Sequence, residues 1–187
     1  MNLVLASGSP RRKALLATAG YSFEVRSVDV DETPLEGESP ADYVERLAEA
    51  KARAAWREGE VTLGADTIVV AAGEILGKPV DAADAAAMLS KLSGKTHEVL
   101  TGFCFYNGTV ARPGIELTHV SFLKMTDAEI ADYVAGGEPM DKAGAYGIQG
   151  LASKFIYGVK GCYFNVVGLP VSRIHAFLRS RSDHGFE

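Results

Sequence analysis

The chain has 187 residues, 47% hydrophobic and 23% charged, a balance that fills a globular core and excludes extensive disorder. Its length matches a single domain, 1–187, with room for two lobes. The formal net charge of −5 excludes a general nucleic-acid binder, whose affinity rests on many Lys and Arg contacts to phosphate.

Leu3-Val-Leu-Ala6 reads as a short buried strand. Ser7-Gly8-Ser9 breaks it, and Pro10 opens a helix with Ser9 as N-cap and Gly20 as the residue past its end. Such a helix start offers free N–H groups and a positive dipole end, which favour an anion. Arg11, Arg12 and Lys13 stand in that same first turn, where cations oppose the dipole. Basic residues beside two hydroxyls and a glycine point to a polyphosphate site; the alternative is a plain basic surface helix. Tyr21–Glu32 alternates partly with period two, as a half-exposed strand does, and ends in Asp29, Asp31 and Glu32. Those acids are either a solvated strand end or oxygen ligands for Mg²⁺.

Ser39-Pro40-Ala41-Asp42 starts a second helix, with Val44, Leu47, Ala48, Ala54 and Ala55 marking its apolar face. Lys51 falls on that face, so it either snorkels or reaches an anion beneath the helix. Val61–Val70 reads as a buried strand interrupted by Asp66. A buried carboxylate must be hydrogen-bonded, paired or bound to metal; the plainer alternative is a turn cap beside Gly64. A turn near Gly73 leads into Glu74-Ile-Leu76 and Gly77-Lys78-Pro79, which puts Lys78 just past a strand that pairs with the Asp66 strand.

Asp81 caps a third helix with Ala85, Met88, Leu89 and Leu92 on one face, stopped by Gly94. Gly94-Lys95-Thr96 is not a P-loop, because Leu89 stands where that motif needs glycine. His97–Tyr106 and Ile115–Met125 read as strands, with Asn107-Gly108 a turn signal between them. Thr126-Asp-Ala-Glu129 is a capping box for a helix ended by Gly136-Gly137. Glu138–Gly150 is a loop with glycines at 144, 147 and 150 that carries Asp141, Lys142, Tyr146 and Gln149. Phe155–Val159 and Cys162–Val167 suggest a second hairpin, and a final helix buries Ile174, Phe177 and Leu178, with a tail fraying from Ser180. Two cysteines, Cys104 and Cys162, are too few for a disulfide framework or a thiolate metal site. No signal-peptide pattern and no apolar run of transmembrane length is present, so a cytoplasmic protein without a membrane partner is expected.

Several of these stretches together resemble the Maf family of nucleoside triphosphate pyrophosphatases. They are Ala6-Ser-Gly-Ser-Pro-Arg-Arg12, Glu32, Gly64-Ala-Asp-Thr67, Leu76-Gly-Lys-Pro79, Leu92-Ser-Gly94, Asp141–Gly150 and Asn165-Val-Val-Gly-Leu-Pro170. The resemblance implies an α/β, ITPase-like fold, an elongated mixed β-sheet flanked by helices, with two lobes around a central cleft. It implies hydrolysis of a nucleoside triphosphate to monophosphate and pyrophosphate with a divalent cation, Mg²⁺ or Mn²⁺, often in a homodimer. Asp66, Lys51 and Lys78 would be catalytic, and Glu32 and Asp66 would hold the metal. Ser7, Arg11, Arg12, Thr67 and Gln149 would bind substrate. The Asp141–Gly150 pattern resembles the branch acting on dTTP and UTP, whereas the branch for methylated GTP differs there. A regulatory nucleotide-binding role in septum inhibition is the rival from another class.

Overall fold

The computed structural model describes residues 2–184, with side chains to Ser180. The elements are β1 (Asn2–Ala6), α1 (Pro10–Thr18), β2 (Glu24–Val25), α2 (Pro40–Ala55), β3 (Glu60–Ala71), β4 (Glu74–Leu76) and α3 (Ala82–Leu92). They continue with β5 (Thr96–Tyr106), β6 (Ala111–Phe122), α4 (Asp127–Ala135), three short 3₁₀ segments between Glu138 and Phe155, β7 (Ile156–Lys160), α5 (Tyr163–Val167) and α6 (Val171–His184). Among the described residues the seven strands form one mixed sheet in the order β2-β1-β3-β5-β6-β7, with β4 paired to β3. The α/β class expected from the sequence is the class found.

The chain divides into two compact units: the first holds residues up to Asp66, Thr101–Glu116 and the chain from Gly168, and the second holds Thr67–Leu100 and Leu117–Val167. In the first unit β1 lies parallel to both β2 and β3, because α1 and α2 supply the crossovers that parallel neighbours require. Both helices start where the sequence places them: Ser9 Oγ accepts from the Arg12 N–H, and Ser39 Oγ from the Asp42 N–H.

Helix α2 lies flush on the sheet because two glycines make room for its backbone. A Cβ on Gly64 would stand 2.1 Å from the Ala48 carbonyl oxygen, and one on Gly102 would stand 2.3 Å from that of Val44. Neither contact can be relieved by turning a side chain. Gly64→Ala is therefore expected to lower stability by about 1–3 kcal/mol or more, measured by denaturant unfolding, and to lower activity by lifting Lys51 from the strand. Unchanged stability would contradict this packing. The apolar face of α2 differs from expectation at one position: Ala52 is buried and Ala54 exposed.

The second unit has its core in Val69, Met88, Leu89, Leu92, Val99, Val120, Phe122, Ile130, Tyr133, Tyr146 and Phe155. Within it, β4 runs antiparallel to β3, Val69 opposite Leu76, and the turn between them places Ala72 and Gly73 at positive φ, as a two-residue hairpin demands. The α4 capping box is present as read, with Thr126 and Glu129 bonded reciprocally.

His97 is buried against Phe122 and Tyr146, its Nε2 2.8 Å from the Tyr146 hydroxyl. Burial pulls its pKa down to about 4. The unfolded chain protonates this group near pH 6.5, while the folded chain resists until about pH 4. Its contribution to stability is thus complete above the unfolded value and is lost as pH falls between the two, at up to about 1.4 kcal/mol per pH unit. Thermal melting should fall over that interval, and less steeply in His97→Gln; equal slopes would exclude His97 as the cause.

Three readings are corrected. The expected strand over Tyr21–Glu32 shrinks to Glu24–Val25: beyond the Arg26 N–H bond to the Leu5 carbonyl, local bonds such as Thr33 N–H to Asp31 Oδ1 compete with a ladder. The expected Cys162–Val167 strand is instead the short helix α5. Cys162 exchanges both backbone bonds with the Thr118 hydroxyl, and Asn165 donates to the same oxygen, which turns the chain off the sheet. Helix α6 continues past Ser180 to His184; the rest of the expected frayed tail lies outside the described residues. No helix among the described residues is long and apolar enough to cross a membrane.

Candidate functional site

On the first unit, the strand β3 runs straight through Asp66, which excludes a turn cap beside Gly64. The Asp66 side chain is 13% exposed and that of Lys51 12%, so neither charge could stand alone there without large cost. Lys51 Nζ donates to Asp66 Oδ1 at 2.7 Å and pairs with Glu32 Oε1 at 2.7 Å. Lys51 therefore does reach an anion from the apolar face of α2, and the two carboxylates flank one cationic position. Glu32 itself is exposed, on an irregular segment.

Ser7 is buried at the end of β1, and its Oγ accepts from the Ser9 N–H at 3.3 Å and from Arg12 Nη1 at 3.1 Å. Arg12 also donates through Nε to the Gly168 carbonyl at 2.8 Å. Burial lowers the guanidinium pKa, and the charges of Asp66 and Glu32 oppose that fall. Arg11 sits half-buried on the first turn of α1. The first unit thus gathers Ser7, Arg12, Glu32, Lys51 and Asp66 by bonds or by charge, beside a helix N-terminus.

Glu32 and Asp66 are hard oxygen donors converging on one cation, a set that fits Mg²⁺ or Mn²⁺, which complete their shells with phosphate and water oxygens. Among the described residues no group of three or more His, Cys, Asp or Glu side chains is arranged to hold a metal.

Thr67, Lys78 and Gln149 lie on the second unit. Thr67 is half-buried on β3 next in sequence to Asp66, and Lys78 is exposed just past β4. The Gly77 carbonyl accepts from the Gly144 N–H at 3.0 Å, which ties the Lys78 segment to the loop that carries Gln149. Gln149 is exposed in a tight turn closed by Gly150 N–H to the Gly147 carbonyl. Glu138 braces that turn: it accepts from the Tyr133 hydroxyl at 2.8 Å and from the Leu151 N–H at 2.9 Å. A Cβ on Gly150 would lie 2.1 Å from a Glu138 carboxylate oxygen, so a side chain there would have to push the bracing carboxylate aside.

Sequence reasoning missed Tyr43 and Arg46, which bond the segment carrying Glu32: Tyr43 to the Glu32 carbonyl at 2.8 Å, Arg46 to the Thr33 carbonyl at 3.1 Å. Their signal was a tyrosine and an arginine one helical turn apart in α2, too common to single out.

The Maf-like protein family matches residues 2–181. The dTTP/UTP pyrophosphatase of Citrifermentans bemidjiense is 53% identical over 182 residues, covering 95% of this chain and 94% of its own. That of Koribacter versatilis is 51% identical over 181 residues, covering 96% and 94%. Among solved structures, the Staphylococcus aureus Ham1 protein superposes with a TM-score of 0.56 at 15% identity, over 97% of this chain and 100% of its own, a likeness of fold alone. With a family match over nearly its whole length and relatives above half identity, the chain belongs to the Maf-like family.

Proposed function

We propose that this protein is a nucleoside triphosphate pyrophosphatase that hydrolyses dTTP and UTP to the monophosphate and pyrophosphate. The observation that carries the reading is the Lys51 ammonium shared between Glu32 and Asp66, two carboxylates whose charges also act on Arg12. The relatives named dTTP/UTP pyrophosphatase support the substrate class.

Water attacks the α-phosphorus while charge builds on the departing pyrophosphate. Arg11, Arg12, Lys51 and Lys78, with Ser7, bind and neutralise that charge, the larger share of catalysis in phosphoryl transfer. Glu32 and Asp66 would hold the divalent cation, which when bound would supply charge neutralisation and a more acidic water. Asp66 orients the attacking water and takes its proton. In the resting site Lys51 occupies Asp66 Oδ1, so its transfer to phosphate frees that oxygen for the water. Thr67 and Gln149 contact the nucleoside. The same reading carries a cytoplasmic homodimer without nucleic-acid or membrane partners, which light scattering and cell fractionation check.

Gln149 presents one donor and one acceptor on its amide, matching the N3–H and a carbonyl of uracil or thymine. Cytosine offers an acceptor at N3 and an amino group at C4, which needs the amide reversed. An unpaired polar group costs about 1–3 kcal/mol, roughly 5- to 150-fold in kcat/KM. Gln149→Ala should therefore lose selectivity for dTTP and UTP over CTP more than it loses basal hydrolysis. Equal losses on all nucleotides would remove Gln149 from base recognition, and a wild-type preference for methylated GTP would reassign the chain within the family.

A further inference from the structure

We propose that Tyr43 and Arg46 are positioning residues that hold the backbone of the Glu32 segment, so that the Glu32 carboxylate stands ready for the divalent cation; this rests on the metal role given to Glu32 above. After Val25 the chain has no regular structure until α2 begins at Pro40. Glu32 lies within that stretch, its side chain 56% exposed, so neither a strand ladder nor burial fixes its direction. What fixes it comes from α2.

The Tyr43 hydroxyl donates to the Glu32 carbonyl itself at 2.8 Å. Arg46, one turn on, forks onto Glu38 at 2.6 and 2.8 Å and reaches the Thr33 carbonyl at 3.1 Å. Glu38 in turn accepts from the Leu35 N–H, and Asp31 from the Thr33 N–H, so the clasped residues are stiffened from within the loop as well. The Arg46 guanidinium holds the Glu38 carboxyl down to about 2, so the fork stays ionised well into acid. Helix α2 also presents Lys51 to the Glu32 carboxylate. One rigid helix therefore sets both the main chain and the side chain of the residue, the arrangement by which partners outside the ligand shell orient a metal ligand.

Tyr43 is well suited to a clean test. The residue is 9% exposed, and phenylalanine fills the same space while removing only the hydroxyl. Mn²⁺ binding to the whole protein is followed by water-proton relaxation, alongside the Mn²⁺ concentration for half-maximal pyrophosphate release. Tyr43→Phe should weaken Mn²⁺ binding about 10-fold and raise the half-activating concentration in parallel, with kcat at saturating Mn²⁺ and the melting temperature little changed. Arg46→Lys should lose less than Arg46→Ala. Arg53→Ala, which breaks an exposed ion pair with Glu49 on the same helix, should match the wild type. In a Glu32→Gln background Tyr43→Phe should cost nothing further, because the group it positions is gone. A Tyr43→Phe protein that binds Mn²⁺ like the wild type, the same loss repeated in the Glu32→Gln background, or a wild type without Mn²⁺ affinity would each overturn the proposal. The binding arm does not depend on turnover, so a wild type that binds Mn²⁺ yet releases no pyrophosphate refutes the hydrolase reading separately.

Discussion

Asp66→Asn is expected to reduce kcat on dTTP by roughly two to four orders of magnitude, the usual cost of losing a general base or a metal ligand. The substitution keeps the shape of the side chain, so the strand and the α2 contact at Gly64 should survive. It removes the charge that holds Lys51 at 2.7 Å and the basicity that takes a proton from water. Lys51 retains Glu32 as a partner, so the folded site does not acquire a stranded charge. Steady-state kcat with a melting curve on the same sample decides the matter. A folded Asn variant with near-normal turnover would show that Asp66 is only a structural counter-ion.

Lys51→Ala should lower kcat/KM by about 10²–10³, the range seen on removing one donor aimed at developing charge. The loss should be similar for dTTP, UTP and CTP, because phosphate contacts do not read the base. The variant also leaves Glu32 and Asp66 facing one another without the cation between them, so the divalent-ion requirement should persist. A loss confined to one nucleotide would move Lys51 to the base or sugar. Full activity would reduce it to a lysine that merely neutralises two acids.

Much of this site was legible in the sequence because its residues break local rules. Asp66 interrupts an apolar strand, Lys51 an apolar helix face, and Arg11 and Arg12 crowd the wrong end of a helix dipole. Each anomaly has a physical cause that the fold then displays: the strand's acid meets the helix's lysine, and Arg12 turns back to Ser7 and Gly168. The helices were legible through their caps, since Ser9, Ser39, Asp81 and Thr126 each bond the backbone three residues on. Tyr21–Glu32 and Cys162–Val167 were not. Their alternation or apolar content suits a strand, but side chains distant in sequence or local turns took the backbone bonds first, as Thr118 did for Cys162. Nor could spacing reveal Tyr43 and Arg46, whose role lies in bonds to main-chain carbonyls that any sequence would offer.

The central claim is tested most directly by measuring pyrophosphate release from dTTP, UTP, CTP, GTP and methylated GTP, each with Mg²⁺ and with a chelator. The account predicts stoichiometric monophosphate and pyrophosphate from dTTP and UTP, the highest kcat/KM on these two, and collapse of the rate without the divalent cation. Nucleotide binding without pyrophosphate release, or release unaffected by chelation, would contradict it.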